Sequence, residues 1–153
     1  ETDILVVGGG GKAPSLHDEP EVLEWLNAIH KTTQWTTSVC TGSLILGAAG
    51  ILQGKKATTH WAVLDRLAHW GATPVSQRVV EDGKIMTAAG VSAGLDMGLT
   101  LAAKVAGQEV AKTLQLIIEY DPHPPFDMGS VEKVSPEFRD NLRAKLLNRF
   151  EKV

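Results

Sequence analysis

The sequence predicts an α/β layered fold, in which helices cover both faces of a mostly parallel sheet. Short runs of β-branched and apolar residues alternate with segments whose apolar residues recur at helical spacing. Turns containing glycine follow the first two predicted strands. The 153 residues are 43% apolar and 22% charged, a composition typical of one globular domain, which we expect to span residues 1–153. Ligands of such folds bind at the carboxyl ends of the strands.

The first half of the chain begins with Asp3–Val7, a strand of the buried type, which Gly8–Gly11 ends. Pro20 is a favourable first residue for the helix that follows. The predicted elements of this half are a strand at 3–7, a helix from Pro20, a strand at 31–39, a buried helix at 44–49 and a helix at 61–70 that Gly71 ends.

The second half begins with a β-hairpin, because two β-type runs flank Glu81-Asp82-Gly83, which contains the Asp-Gly pair of a tight turn. A helix is expected at 95–105, and a further helical pattern ends at Tyr120, ahead of the proline-rich segment 121–125. The pattern of residues 136–150 predicts a docked amphipathic helix, with three residues on its apolar face: Phe138, Leu142 and Leu146.

The charge pattern argues against nucleic-acid and membrane partners. The formal net charge is −3, and no cluster of basic residues is present to neutralise phosphates. The longest apolar run, Leu44–Leu52, is far shorter than the ~20 residues that cross a bilayer.

The single Cys40 excludes an internal disulfide and is typical of a reducing, cytoplasmic compartment. Because a strand begins almost at once and no initiator Met precedes it, we expect a piece of a longer protein.

The glycine run Gly8–Gly11 with Lys12 resembles two phosphate-binding motifs only weakly. A phosphate loop needs Gly where Val6 stands and Ser or Thr where Ala13 stands. The dinucleotide fingerprint requires a helix directly after the glycines, and a loop is predicted there. The alternative is a tight turn that lets the backbone approach another group closely.

A lone cysteine is commonly a small buried apolar residue, but the context of Cys40 favours a nucleophile. Ser38–Gly42 has the pattern small-x-nucleophile-x-Gly of a nucleophile elbow, where a strained turn between strand and helix presents the reactive atom. The positive end of the next helix is expected to lower the thiol pKa from ~8.5 into the range ~3.5–7.5. The Thr41 N–H and the loop residues Gly9 and Gly10 are candidates for stabilising developing negative charge.

The five histidines, at positions 17, 30, 60, 69 and 123, show no metal-ligand spacing, so no metal is expected. His60 fits a hydrogen-bonded helix start better than a catalytic base. His123 lies in the proline-rich loop, where a solvated histidine is at least as common as a pocket residue. Asp96 is interpreted as a capping or hydrogen-bonding residue.

Three blocks of sequence resemble the ThiJ/PfpI superfamily, which has the class-I glutamine amidotransferase-like (flavodoxin-like) fold. They are Val39-Cys40-Thr41-Gly42-Ser43 with the following segment to Trp61, Thr87–Asp96, and Ile118–Ser130. The third block is similar to the isocyanide hydratase branch in particular. The resemblance covers nearly the whole chain and implies a homodimer without a metal or organic cofactor.

The resemblance also implies which residues form the site and what they do. It assigns Cys40 as the nucleophile, Thr41 as its elbow neighbour, Gly9 and Gly10 as the oxyanion-side loop, and Val91 and Ser92 as pocket residues. The implied reaction hydrates a small-molecule isocyanide to an N-substituted formamide: the thiolate attacks the terminal carbon, the nitrogen is protonated, and water hydrolyses the thioimidate.

One difference from the family concerns the amino-terminal side. Family members begin with a strand and helix that supply an acidic residue to the cysteine, and this chain starts after them, which leaves the general acid unassigned. An exposed sheet edge is therefore expected. Either a separate amino-terminal segment exists as another chain, or this piece is inactive.

Two other functions fit the same resemblance. Transcription regulators of the arabinose-regulator type carry a related ligand-sensing domain, followed by a DNA-binding domain. A glyoxalase-, deglycase- or peptidase-like activity is the third alternative, but those relatives typically have His after the cysteine, where Thr41 stands.

Overall fold

The computed structural model describes residues 1–11 and 13–150 and contains a four-stranded sheet in the order β1-β2-β6-β5. β1 (Ile4–Val7) runs parallel to β2 (Trp35–Val39), and β2 runs parallel to β6 (Ile85–Ala88). β5 (Val79–Asp82) pairs with β6 in the antiparallel direction. The predicted mostly parallel sheet is confirmed. A separate pair consists of β3 (Lys56–Ala57) and β4 (Thr73–Pro74).

Helices pack on both faces of the sheet, as predicted. α1 (Pro20–Thr32) and α2 (Gly42–Ala48) cover the face that carries Leu5 and Ile85, where the larger apolar core lies. α3 (Ala93–Ala106) covers the other face, around Met86 and Met97. α4 (Gln108–Ile117) packs on α3, and α5 (Pro136–Phe150) packs on the 3-10 segment Trp61–Trp70.

The register brings three loops to the same edge of the sheet. Val7 lies beside Ser38, and Val39 lies beside Ala88. The glycine loop after β1, the turn after β2 and the loop after β6 therefore leave the sheet together. This is the edge where ligands of parallel sheets bind.

β1 is the edge strand of the described sheet, because it pairs only with β2 there. Ile4 and Val6 on this strand are 37% and 55% exposed. The expected exposed edge is therefore present in the described part of the chain.

The strand predicted from residue 31 is wrong at its start, because α1 continues to Thr32 and β2 begins at Trp35. The Thr32 hydroxyl donates to the Ile29 carbonyl and the Thr33 hydroxyl donates to the His30 carbonyl, each at 2.9 Å. These hydroxyls satisfy carbonyls at the helix end, which offsets the β preference of threonine.

Two further boundaries differ from the prediction. The hairpin loop consists of Gly83 and Lys84, because β5 extends to Asp82, whose carboxylate accepts the Lys56 N–H at 2.9 Å. Gly83 has φ 65°, which glycine adopts without strain. The helix expected at 61–70 consists of 3-10 turns that break at the fully buried Val63, where φ is −128°.

The tail helix has the predicted bounds, but its apolar face packs differently from the prediction. Phe138 and Leu142 are exposed, whereas Leu147 packs against the core. The Arg143 guanidinium holds the helix in place, because it donates to the Ala62 carbonyl at 2.8 Å and to both Asp65 carboxylate oxygens at 2.7 Å. No helix in the described ranges has the length and apolar character that crossing a bilayer requires.

Candidate active site

Cys40 occupies the sharp turn between β2 and α2, with φ 59°. A non-glycine residue in this region carries a strain of about 1–2 kcal/mol. The turn is held from two sides, because the Cys40 N–H donates to the Ala88 carbonyl at 3.1 Å and the Thr59 hydroxyl donates to the Cys40 carbonyl at 2.8 Å. Ser43 donates to the same carbonyl at 3.2 Å. The surrounding strands therefore maintain the strained elbow.

The glycine loop lies directly on this elbow. A Cβ placed on Gly9 would lie 2.6 Å from the Thr41 nitrogen and 2.9 Å from the Cys40 Cβ. A Cβ on Gly42 would lie 2.2 Å from the Val7 carbonyl oxygen. Real Cβ atoms do not approach backbone atoms so closely, so both positions exclude every side chain.

Gly10 and Thr41 form a reciprocal pair across the loop. The Gly10 N–H donates to Thr41 Oγ1 at 2.9 Å, and the Thr41 hydroxyl donates to the Gly10 carbonyl at 3.1 Å. Gly10 has φ 153°, a conformation that glycine adopts readily. The pair fixes the loop on the elbow, but it also occupies the Gly10 N–H that the sequence analysis offered as an oxyanion donor.

The Cys40 thiol is half-buried. Burial raises its pKa, and the N–H and hydroxyl of Thr41 lower the pKa by a smaller amount. The expected lowering of the thiol pKa below its usual value is therefore wrong for the described chain. The reason is that the loss of hydration on burial outweighs the N–H and hydroxyl of Thr41.

The loop after β6 packs beside the elbow. A Cβ on Gly94 would lie 3.1 Å from Cγ1 of Val39, the residue before Cys40. The Val91 side chain is 80% exposed. Ser92, the residue before α3, lines a neighbouring depression. Of the two predicted pocket residues, the structure brings only Ser92 to the wall of this cavity.

The cavity that Ser92 lines has a volume of about 230 Å³, and Thr59 on its wall donates its hydroxyl to the Cys40 carbonyl. The Glu132 carboxyl lies on its wall, and its own backbone N–H and the nearby hydroxyls of Ser130 and Ser76 lower its pKa. The polar and aromatic residues that line the cavity include Thr59, Trp61, Arg78, Ser92 and Glu132.

The two histidines considered for catalysis have different surroundings. His60 Nδ1 accepts the Ala62 N–H at 3.3 Å, which fits the predicted helix-start role, and burial lowers the pKa of its imidazole. The His60 ring also lies 3.9 Å from the position of a Cβ on Gly90. His123 is exposed on the proline-rich loop. Among the described residues no three His, Cys, Asp or Glu side chains are grouped to hold a metal ion. Lys12, considered with the phosphate loop, lies outside those residues.

Sequence reasoning missed a polar network at the first turn of α3. The Arg78 Nε donates to the Asp96 carboxylate, and the Tyr120 hydroxyl donates to its other oxygen at 2.7 Å. The predicted hydrogen-bonding role of Asp96 is confirmed, but its two partners lie 18 and 24 residues away. Ser38 Oγ is buried without a hydrogen-bond partner among the described residues.

The fold and this site together define a class of protein: α/β proteins that present a cysteine on an elbow at the carboxyl edge of a parallel sheet. A family model described as the DJ-1/PfpI family matches residues 1–104. The chain belongs to this family, and the resemblance to ThiJ/PfpI proteins is confirmed.

The chain is also similar to three individual proteins. An isonitrile hydratase of Pseudomonas putida is 47% identical over 142 residues, which cover 93% of this chain and 62% of that protein. A ThiJ/PfpI family protein of Pseudomonas syringae, solved by crystallography, has a TM-score of 0.90 and 40% identity, covering 99% of this chain and 64% of the other. The HTH-type transcriptional regulator CdhR of Pseudomonas aeruginosa is 32% identical over 71% of this chain and 33% of that protein. The chain thus spans about three-fifths of the length of the first two relatives.

Proposed function

We propose that the protein hydrates an isocyanide to an N-substituted formamide, with Cys40 as the nucleophile. The observation that carries this proposal is the position of Cys40: a strained, half-buried elbow against which the side-chain-free Gly9 packs. The 47% identity with an isonitrile hydratase supports the substrate class, since isonitrile and isocyanide name the same group.

The reaction balances without an oxidant or reductant. The Cys40 sulfur bonds to the terminal carbon of the isocyanide, the S–H bond breaks, and that carbon receives a proton, which gives a thioimidate. Water then adds across the carbon–nitrogen double bond, and its oxygen bonds to carbon while nitrogen gains a proton. Loss of the carbon–sulfur bond releases the formamide and regenerates the thiol. The nitrogen is thus protonated in the second step.

Residues around the elbow prepare the sulfur for attack. The Thr41 N–H and hydroxyl interact with the Cys40 thiol and favour its ionised form. Gly9 packs on the elbow without a side chain, and Ser92 lines a cavity together with Thr59, whose hydroxyl donates to the Cys40 carbonyl.

We propose that the group that donates the proton is not one of the described residues in contact with Cys40. Within the described residues, the groups that interact with its thiol belong to Thr41. The resemblance implies an acidic side chain on an amino-terminal strand and helix. We assign this role to such a segment, on the same polypeptide or on a separate one, beside the exposed edge of β1.

The experiment compares formamide production by the wild type and by Cys40→Ser, with an alkyl isocyanide as the probe and the amino-terminal segment present. We expect turnover by the wild type, a loss of at least about 10³-fold in Cys40→Ser, and no change in Lys112→Gln, an exposed control on α4. Because the thiol pKa is raised, the wild-type rate should increase with pH above neutrality. Equal turnover by Cys40→Ser would overturn the assignment.

A second candidate function is ligand sensing. The 32% identity with the transcriptional regulator CdhR favours it, and a raised thiol pKa fits a cysteine that does not turn over substrate. A sensor would bind its ligand with the same affinity in the wild type and in Cys40→Ser and would produce no formamide. The assay above therefore distinguishes the two functions. A glyoxalase-like activity is the third alternative, and methylglyoxal conversion to lactate by the wild type would favour it.

The protein is further proposed to be a one-domain homodimer of the cytoplasm. The exposed apolar face of α4, formed by Val110, Leu114 and Ile117, supports self-association. The lone cysteine fits a reducing compartment. Sedimentation equilibrium tests the dimer, and a monomer mass at micromolar concentration would contradict it.

A further inference from the structure

We propose that Arg78, Asp96 and Tyr120 form a positioning network that holds the loop Gly90–Ser92 against the Cys40 elbow. The three side chains come from separate parts of the chain and meet at one carboxylate. Arg78 stands directly before β5, Asp96 lies in the first turn of α3, and Tyr120 follows α4. The network acts through the loop and touches no reacting atom.

The loop is fixed at its start by backbone contacts to the elbow. The Cys40 N–H donates to the Ala88 carbonyl at 3.1 Å, and the Ala89 N–H donates to the Arg78 carbonyl at 2.9 Å. The loop therefore leaves β6 between the elbow and Arg78. From there it must reach α3 across three residues that make no ladder hydrogen bonds.

Arg78 fixes the far end of the same loop. Its Nε donates to Asp96, and its terminal NH2 lies 3.4 Å from Ser92 Oγ. The guanidinium thus spans from the last loop residue to the first helical turn, while the Arg78 carbonyl holds Ala89, the residue that precedes the loop. Since the guanidinium fork has fixed geometry, both contacts constrain the same part of the loop.

Tyr120 fixes the carboxylate that orients Arg78. Its hydroxyl donates to Asp96 Oδ1 at 2.7 Å, which leaves Oδ2 for Arg78. Asp96 raises the pKa of the Tyr120 phenol, so the phenol keeps its proton at neutral pH and remains a donor. Because the tyrosine is neutral, Tyr120→Phe removes one hydrogen bond without changing any charge near Cys40.

The test measures local opening of the loop by amide hydrogen exchange. Ala93 and Gly94 report on it, because their N–H groups donate to the carbonyls of Gly90 and Val91 at 2.9 and 3.1 Å. In Tyr120→Phe we expect exchange at these two amides to be about tenfold faster, as loss of a hydrogen bond to a charged group implies. The amide of Ala49 at the end of α2 should be unchanged.

The matched control is Lys104→Met, which breaks an ion pair at the other end of α3. The Lys104 ammonium donates to the Glu81 carboxylate on β5 at 2.8 Å. The Lys104→Met variant should leave the amides of Ala93 and Gly94 as protected from exchange as they are in the wild type. Arg78→Lys keeps a positive charge but replaces the rigid fork, so it should resemble Tyr120→Phe. In Tyr120→Phe, equally faster exchange at the amides of Ala93, Gly94 and Ala49 would overturn the proposal. Unchanged exchange at Ala93 and Gly94 would overturn it as well.

Two chemical readouts connect the loop to the sulfur. The rate at which iodoacetamide alkylates Cys40 should rise severalfold in Tyr120→Phe and stay constant in Lys104→Met, because the loop begins beside Ala88, whose carbonyl holds the Cys40 N–H. The catalytic arm rests on the proposed function: kcat/KM for an isocyanide should fall about tenfold in Tyr120→Phe. Absence of turnover in the wild type, with the exchange pattern intact, would contradict the proposed function and leave the network in place. Unchanged alkylation would overturn the network.

Discussion

At the scale of single residues, the site depends on positions that exclude side chains. Gly42 packs against main-chain atoms of Val7 and Gly8, and Gly9 packs against the Thr41 nitrogen, Thr41 Oγ1 and the Cys40 Cβ. The main chain at Val7, which is paired in the parallel sheet, cannot move aside as a flexible side chain can. The strained φ of Cys40 therefore persists because its neighbours leave it no alternative.

Gly9→Ala is predicted to displace the glycine loop from the elbow. A methyl group 2.6 Å from the Thr41 nitrogen must push the loop away, at a cost of about 1–3 kcal/mol in the free energy of unfolding. Formamide production should fall with it. The control is Gly8→Ala, whose methyl group would meet nothing within 4 Å. Chemical denaturation of the two variants checks the prediction, and equal stabilities would contradict it.

Local sequence signals predicted Cys40 and the glycines, but not their contacts. The pattern around Cys40 depends on steric rules within five residues, so it could be recognised without the fold. The bond between the Gly10 N–H and Thr41 Oγ1 joins residues 31 positions apart, and no local signal encodes it. The thiol pKa was mispredicted for the same reason, because burial depends on the whole sheet edge.

At the scale of elements, α5 is held by a charged side chain rather than by its predicted apolar face. Arg143 reaches the 3-10 segment Trp61–Trp70, where it meets one carbonyl and both oxygens of Asp65. A bidentate contact of this kind fixes direction as well as distance. The helix therefore docks with Phe138 and Leu142 still exposed.

Arg143→Gln is predicted to loosen α5 and to lower the free energy of unfolding by about 1 kcal/mol, since the pair is partly exposed. Arg139→Gln is the matched control. Arg139 pairs with its neighbour Asp140 on the same helix, and within the described residues its guanidinium makes no hydrogen bond to another element. Limited proteolysis within α5 should accelerate only in Arg143→Gln. Similar cleavage of both variants would show that Leu147 alone docks the helix.

Predictions of elements succeeded where a single residue type marks the boundary. Pro20 begins α1 and Gly71 ends the 3-10 segment as expected. Thr32 and Thr33 were wrongly predicted to lie in a strand. Their hydroxyls donate to helix carbonyls, and those carbonyls are in place only once α1 has formed. The network of Asp96 could not be predicted, since the loops after β4 and α4 place its partners.

At the scale of the whole molecule, a buried polar cluster lies at the end of the sheet opposite Cys40. His30 Nδ1 lies 2.8 Å from Thr36 Oγ1, which lies 2.7 Å from Thr33 Oγ1. The Lys84 ammonium donates to the His30 and Thr33 carbonyls. Burial, with the nearby charge of Lys84, lowers the pKa of His30 below its usual 6.5, and burial lowers that of His60.

These shifts predict that stability falls as the solution becomes mildly acidic. Because the folded pKa values lie below 6.5, the unfolded chain binds more protons, and the free energy of unfolding rises with pH. The contribution is complete above the unfolded value of 6.5 and is lost as pH falls from there through the lower folded pKa values. Urea denaturation between about pH 7.5 and 5.5 measures the slope. His30→Gln should flatten it, and His123→Gln, on an exposed loop, should not. An unchanged slope in His30→Gln would contradict the prediction.

The account depends above all on covalent chemistry at Cys40, which intact-mass spectrometry tests directly because the chain has a single cysteine. The protein, together with the proposed amino-terminal segment, is mixed with an alkyl isocyanide and quenched within milliseconds. We expect a transient species heavier by one isocyanide in the wild type and none in Cys40→Ala. An adduct of the same mass in Cys40→Ala, or formamide released at the wild-type rate by that variant, would contradict it.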